Sequence, residues 1–220
     1  MAEAPCVIAI DGPSGAGKGT VARTLAARLG FRHVDTGAMY RAVAWKARHD
    51  GLNLEDAEAV AAIARDAALD LDQGVVIDGH DVTQAIRTPD IDAAAAIVAR
   101  HPGVRAALVA RQRHYRTGAG LVMEGRDIGT VVFPAADVKL YLDASPDERA
   151  RRRAADPAHA AGADTRDVAQ ALEARDRSDR TRAISPLTIA PDAIYIDTTG
   201  RSIDEVVSRA LSIVQEAMRQ

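Results

Sequence analysis

The stretch GPSGAGKGT, from Gly12 to Thr20, has the residue types and spacing of a phosphate-binding loop. Its glycines allow the backbone to wrap around an anion with the N–H groups pointing inward, and Lys18 could reach the terminal phosphates of a nucleotide. The loop follows the apolar run at 7–10 and precedes a helical pattern, which adds the positive end of a helix dipole. The stretch therefore predicts a triphosphate site.

Gly19 departs from the loop of GTPases and most ATPases, in which a hydroxyl residue follows the lysine and ligates Mg²⁺. We expect Mg²⁺ to be held mainly by the nucleotide phosphates and water, with Thr20 or Asp35 as the candidate protein ligands. A Gly-Thr pair after the lysine resembles the loop of nucleoside monophosphate kinases.

Arginine-rich motifs further along the chain bear on the identity of the phosphate acceptor. A kinase acting on a hydroxyl needs a base, commonly Asp, whereas a phosphate acceptor is already anionic and needs cationic clamping instead. The segment ADPAHAAGAD at 155–164, rich in small residues, has the composition of a mobile flap. Three motifs supply arginines near this segment or near predicted strand ends: DTGAMYR at 35–41, EGRD at 124–127 and RDRSDRTR at 175–182. Together they favour a phosphate acceptor.

The last of these motifs has a second interpretation. On a solvated helix, Arg175 would pair with Asp179 and Asp176 with Arg180, both at i, i+4 spacing. For this motif taken alone, the two interpretations are equally good.

Five short apolar runs must position these motifs: VIAI at 7–10, FRHV at 31–34, LVM at 121–123, VKLYL at 138–142 and AIYI at 193–196. Because helical patterns separate them, they predict an α/β fold with a parallel sheet covered by helices. Ligands bind at the carboxyl ends of the strands in such a sheet. The segment LDLDQGVVIDGHDV at 69–82 predicts a small antiparallel hairpin that turns at Asp78 and Gly79.

Helix boundaries can also be predicted. Two helices are expected at 91–100 and 104–116, and capping boxes are expected to begin the helices after Ser145 and Ser202.

Composition limits the class of partner. The formal net charge of the 220 residues is −3, which argues against electrostatic binding of nucleic acid over the whole surface. A single cysteine and the lack of a long apolar N-terminal run predict a cytoplasmic protein without a membrane partner.

Seven motifs occur in the order and spacing of bacterial cytidylate kinases: GPSGAGKGT, DTGAMYR, IRTPDIDAAAA, HPGVRAALVARQR, GRDIGTVVFP, VKLYLDASPDERARRR and RDRSDRTRAISPL. The chain resembles that family from about Val7 to the last strand. The resemblance implies a P-loop kinase fold with a five-stranded parallel sheet, an NMP-binding insertion containing a small antiparallel β element, and a short lid. It also implies transfer of the γ-phosphate of ATP to CMP or dCMP with Mg²⁺ as cofactor, by a monomer.

The resemblance assigns roles to individual residues. Lys18, Arg126 and Arg182 would be catalytic. The ATP-binding residues would be Gly12, Pro13, Ser14, Gly15, Ala16, Gly17, Lys18, Gly19, Thr20, Arg152 and Arg153. The CMP-binding residues would be Thr36, Tyr40, Arg41, Arg105, Glu124, Arg126, Asp127, Arg175 and Asp179, with Arg41 at the acceptor phosphate and Arg175 and Asp179 at the pentose. The core would comprise residues 1–37, 117–148 and 166–220, the NMP-binding domain 38–116 and the lid 149–165.

Two positions depart from the family. Ala96 stands where some members have a hydroxyl residue that contacts the nucleoside, and the segment at 155–164 lacks the polar, lysine-bearing sequence often found in the lid. One alternative function is a related P-loop kinase with another acceptor, such as UMP. A second is an arginine-rich, nucleotide-dependent RNA-binding module, which the aromatic content of only 3% disfavours because such modules stack bases on aromatic rings.

Overall fold

A computed structural model describes residues 6–118, 120–156 and 165–219. Strands and helices alternate along most of the chain. The strands are β1 (Cys6–Asp11), β2 (Arg32–Asp35), β3 (Leu69–Asp70), β4 (Val76–Ile77), β5 (His80–Asp81), β6 (Gly120–Gly125), β7 (Val138–Asp143) and β8 (Ile194–Asp197). The helices are α1 (Lys18–Leu29), α2 (Thr36–His49), α3 (Ala57–Asp66), α4 (Pro89–Val98), α5 (Pro102–Arg113), α6 (Pro146–Ala154), α7 (Thr165–Thr181) and α8 (Ile203–Ala217), with a π-helical turn at Ile128–Val132.

The main sheet has five parallel strands in the order β2-β6-β1-β7-β8, which confirms the predicted fold class. Ile8 of the central strand β1 lies opposite Val122 on one side and Val138 on the other. Ile8 packs in a core with residues of α1 and α8, while Val7 packs in a separate core on the other face. Because both faces are buried at the centre of the sheet, the inner strands β1, β6 and β7 are largely apolar, whereas β8 at the edge is mostly exposed.

The predicted hairpin is present and carries an additional strand. Strands β4 and β5 are antiparallel and are joined by Asp78 and Gly79, whose φ angles of 47° and 78° suit a tight hairpin turn. The short strand β3 pairs with the other edge of β4. This small sheet lies in the insertion formed by α2 to α5, whose own core contains Met39, Val98 and Leu108.

Both predicted helices of the insertion begin two residues earlier than expected. Thr88 caps α4, since its hydroxyl accepts a hydrogen bond from the Ile91 N–H at 3.3 Å. Proline stands at the first turn of both helices, where its missing N–H is not needed.

One of the two expected capping boxes is complete. Ser202 and Glu205 exchange both hydrogen bonds at the start of α8. Ser145 accepts from the Glu148 N–H, but the prediction of a full box there is wrong. The Glu148 carboxylate binds Arg151 and Arg152 instead, because a guanidinium is a stronger partner than a backbone N–H.

No helix in the described parts of the chain is long and apolar enough to cross a membrane. Most of the predicted lid segment at 155–164 lies outside the described residues.

Candidate active site

The phosphate loop connects the central strand β1 to α1. The helix begins at Lys18, directly after Gly17, which has a left-handed φ of 88°. Gly12 has a φ of +147°, and a Cβ atom there would lie 1.9 Å from the carbonyl oxygen of Leu142. Only glycine fits this close approach between the loop and β7. Lys18 is folded over the loop, and its ammonium donates to the Pro13 carbonyl at 2.7 Å.

The structure explains the unusual glycine after the lysine. A Cβ atom on Gly19 would lie 3.3 Å from Oε1 and 3.5 Å from Oε2 of Glu124. The carboxylate of β6 therefore occupies the space beside the loop into which a side chain at position 19 would extend. His33 holds this carboxylate from the side of β2, with Nε2 2.9 Å from Oε1.

A cavity of about 810 Å³ opens from the loop, in the size range of small-molecule sites. Although the whole chain has a net charge of −3, the cavity is lined by twelve basic and seven acidic side chains. The basic residues are Lys18, Arg23, Arg41, Arg87, Arg105, Arg126, Arg151, Arg152, Arg153, Arg175, Arg182 and Arg201. This local excess of positive charge suits polyanionic ligands.

Three of the predicted CMP-binding residues meet in one buried cluster. Arg105 forms a salt bridge with Asp127, and both residues are buried. The Arg105 guanidinium also lies over the Tyr40 ring, 5.5 Å from its centroid. This cluster joins α5, α2 and the end of β6 across more than 80 residues of sequence.

A second cluster connects the phosphate loop to α7. Arg126 donates through Nε to Asp179 at 2.8 Å and through Nη1 to the Gly12 carbonyl at 3.0 Å. Arg182 contacts the same aspartate at 3.3 Å. Arg126 lies between the loop and the part of the cavity lined by Arg41, Arg105 and Arg182, which we call the acceptor half. From this position a cation could act on a group that passes between the two parts.

Some buried donors in this half of the cavity have no hydrogen-bond partner among the described residues: Nε of Arg41, Nε of Arg105 and Nη2 of Arg182. Buried donors are normally paired, and an unpaired one loses the solvation that water would provide. An anionic ligand would satisfy such groups.

Arg41 and Thr36 are held at the start of α2. The Asp35 carboxylate caps this helix through the Ala38 N–H at 3.1 Å and binds Arg41 at 2.8 Å. Burial acts to raise the pKa of Asp35, but Arg41, the Ala38 N–H and His33 together outweigh it, so the pKa is lowered. The Thr36 hydroxyl donates to the Glu124 carbonyl at 2.7 Å, which ties α2 to β6.

Arg152 and Arg153 both line the cavity, Arg152 beside the phosphate loop and Arg153 toward α4 of the insertion. Arg152 binds Glu148, and it donates to the hydroxyl and carbonyl of Thr198 at 2.9 and 2.7 Å. Arg153 forms a salt bridge with Asp92 of α4.

Neither of the two i, i+4 ion pairs considered for α7, Arg175 with Asp179 and Asp176 with Arg180, is among the contacts of the described residues. Arg175 contacts Asp92 at 3.2 Å rather than Asp179, which is held by Arg126. Asp176 is buried against Arg149. Arg175, Asp176 and Asp179 therefore contact other elements of the protein, whereas Arg177 and Glu173 form an exposed pair within the helix.

Sequence reasoning missed three residues that support the site. Arg149 is buried and donates to the Ser14 carbonyl at 3.1 Å, and the arginine run around it gave no sign which member would be buried. Asp11 accepts from the N–H groups of Ile128 and Gly129, both at 2.8 Å, and burial raises its pKa to about 6. His33 contacts the Glu124 carboxylate from the neighbouring strand, and no sequence pattern links these two residues.

No group of three or more metal-ligating side chains occurs within the described ranges.

A parallel sheet with a phosphate loop after its central strand, opening into a cationic cleft, defines a P-loop phosphotransferase. A gluconokinase from Sinorhizobium meliloti 1021 has a similar fold, with a TM-score of 0.54 at 14% identity over 98% of this chain and 95% of that one. That likeness shows the fold alone.

The family model for cytidylate kinase matches residues 8–216, and the chain belongs to the cytidylate kinase family. It is 50% identical to a cytidylate kinase from Solibacter usitatus, over 95% of this chain and 92% of the relative. It is 46% identical to one from Geobacillus kaustophilus, over 95% and 96% of the two chains. The predicted family and the predicted class of enzyme are confirmed.

Proposed function

We propose that the protein transfers the γ-phosphate of ATP to CMP or dCMP, and that arginines clamp the two phosphates during an in-line displacement. The observation that carries this proposal is the acceptor half of the cavity, where Arg41, Arg105 and Arg182 each have a buried donor without a partner. The phosphate loop supplies the donor half. The predicted monomeric state, cytoplasmic location and domain boundaries stay predictions.

The carboxylates of the acceptor half support a mechanism without a general base. Asp127 is paired with Arg105, and Asp179 is paired with Arg126 and Arg182. Burial opposes the charge of Asp179, but Arg126, Arg175 and Arg182 together outweigh it, so the pKa of the carboxyl is lowered. Such groups are poor bases, and an acceptor phosphate already carries its negative charge. Their role is to orient the arginines that neutralise the transferring group.

Mg²⁺ would lie between the loop and β6. Thr20 lines the cavity and makes no hydrogen bond within the described residues, so its hydroxyl is available. Glu124 is the carboxylate beside Gly19. Asp35 is a poorer candidate because its two oxygens already bind the Ala38 N–H and Arg41. When bound, Mg²⁺ would neutralise part of the phosphate charge.

The choice of acceptor is tested by ADP release with Mg-ATP and each of CMP, dCMP, UMP, AMP and a hydroxyl acceptor. We expect the two cytidine nucleotides to be preferred by up to about 10⁴-fold, because a buried polar site rejects a base that leaves its groups unpaired. The assignment fails if neither cytidine nucleotide raises the rate above that of ATP hydrolysis. Preference for UMP would favour the related kinase.

At alkaline pH, Lys18 should take up a proton when ATP binds. Burial, followed by the charge of Arg126, lowers the pKa of Lys18 to about 7, so much of the free protein holds this amine neutral at pH 8. A bound triphosphate stabilises the ammonium and raises the pKa again. Affinity for ATP should therefore fall as the pH rises above 7, since binding must then recharge the lysine.

Calorimetry at pH 8 in buffers of different ionisation enthalpy measures this uptake, which should approach one proton per ATP. Lys18→Arg is the matched control because a guanidinium stays charged at this pH. Equal uptake by the wild type and by Lys18→Arg would show that another group titrates.

A further inference from the structure

We propose that Asp92 is a positioning residue that couples the ATP-binding half of the cavity to the CMP-binding half. Asp92 lies on α4 of the insertion, one helical turn before Ala96, and both residues line the cavity. The inference rests on the proposed function, because it uses the nucleotide expected at each half.

Asp92 binds an arginine from each of two other helices. Its Oδ2 forms a salt bridge with Arg153 of α6, and its Oδ1 lies 3.2 Å from Nη1 of Arg175 of α7. Only 13% of the Asp92 side chain is exposed, and the two arginine side chains are 22% and 21% exposed. At this depth solvent screens the charges less than at a surface, so a change at one ion pair is felt at the other.

A third arginine lies within the electrostatic reach of Asp92. Burial opposes the charge of Arg41, but the carboxylates of Asp35 and Asp92 outweigh it, so the pKa of Arg41 is raised. Asp92 therefore faces Arg153 on the proposed ATP side, and Arg175 and Arg41 on the proposed CMP side.

Because one carboxylate, that of Asp92, binds both Arg153 and Arg175, nucleotide binding at one half of the cavity affects the other half. A triphosphate that binds Arg153 competes with Asp92 for this guanidinium. Asp92 then keeps its contact with Arg175 and holds this guanidinium more firmly, in the place where it would meet the pentose of CMP. ATP should therefore strengthen CMP binding, and by linkage CMP should strengthen ATP binding by the same factor.

Asp90 provides a matched control on the same helix. Its side chain is 81% exposed, and its contact with Arg48 is 3.9 Å long. Asp90→Asn removes the same charge from α4 without affecting the link between the two halves.

The test is the dissociation constant of CMP with and without a non-hydrolysable ATP analogue, measured by calorimetry. We expect the analogue to tighten CMP binding roughly tenfold in the wild type and in Asp90→Asn. In Asp92→Asn this ratio should fall close to one. The inference is overturned if Asp92→Asn keeps the wild-type ratio, or if the wild type shows no coupling.

A purely structural role for Asp92 gives a different result. In that case Asp92→Asn would lower the melting temperature and weaken the binding of both nucleotides. The ratio of the CMP affinities with and without the ATP analogue would stay unchanged. Arg153→Ala is measured in parallel, so that the test does not depend on the folding of one variant. It removes the same link from the ATP side and must also bring the ratio close to one.

The same measurement separates this inference from the proposed function. If CMP does not bind the wild type at all, both fail. If CMP binds but the ATP analogue leaves its affinity unchanged, only the coupling role of Asp92 fails.

Discussion

Replacing Arg126 by alanine is expected to lower kcat/KM by about a thousandfold or more, the loss typical when an arginine that stabilises a transferring phosphoryl group is removed. Arg126 binds Asp179 and the Gly12 carbonyl, and thus lies between the phosphate loop and the proposed acceptor site. Stability should fall by only about 1 to 3 kcal/mol, since Asp179 keeps its contact with Arg182 at 3.3 Å. Steady-state kinetics and urea unfolding measure the two losses.

Two further variants make this result interpretable. Arg177→Ala removes an exposed arginine of α7 whose partner, Glu173, is also exposed, and should change neither quantity by much. Arg126→Lys keeps the positive charge but loses the planar fork, and should be intermediate in activity. If the whole loss of activity in Arg126→Ala follows the loss of folded protein, Arg126 has a structural role and not a catalytic one.

Replacing Gly12 by alanine is expected to destabilise the protein by about 4 kcal/mol or more, which places it among the most damaging single substitutions. The new Cβ atom would lie 1.9 Å from the Leu142 carbonyl oxygen, and the φ of +147° is itself unfavourable for alanine. The oxygen cannot move away freely, because β7 is hydrogen-bonded to β1 in the middle of the sheet. Thermal unfolding should show a melting temperature lower by roughly 10 °C or more.

Gly51→Ala isolates the effect of the close contact. Gly51 has a φ of +71°, and nothing lies within 4 Å of a Cβ atom placed there. This variant carries backbone strain alone, which costs about 1 to 2 kcal/mol. Equal destabilisation by the two substitutions would mean that the loop moves away from β7 at no cost.

Much of the fold could be predicted because apolar runs and turn residues are short patterns of neighbouring residues. The five apolar runs became the five strands of the parallel sheet. The inner strands β1, β6 and β7 are buried on both faces, which requires largely apolar sequences. The turn at Asp78 and Gly79 was predictable because few residue pairs tolerate two successive positive φ angles. The additional strand β3 was not, because two residues give no periodicity.

The site was predictable to the extent that its residues fall in motifs. The phosphate loop from Ser14 onward, EGRD, Arg175 and Arg182 do line one cavity, as expected from the carboxyl ends of neighbouring parallel strands. The partners of these residues were harder to predict. The alternative interpretation of α7 paired Arg175 with Asp179 at i, i+4, whereas Arg175 contacts Asp92 of another helix.

By itself, the sequence determined that this protein has a phosphate loop at a strand-to-helix turn, a parallel sheet behind it and arginines suited to a phosphate acceptor. Only the tertiary structure decided which charges meet. The side chain of Glu124 occupies the space beside Gly19, and Asp92 links Arg153 to Arg175 across the cavity. Such contacts join residues tens of positions apart, and the packing of whole helices and strands sets them, so no local pattern of residue types records them.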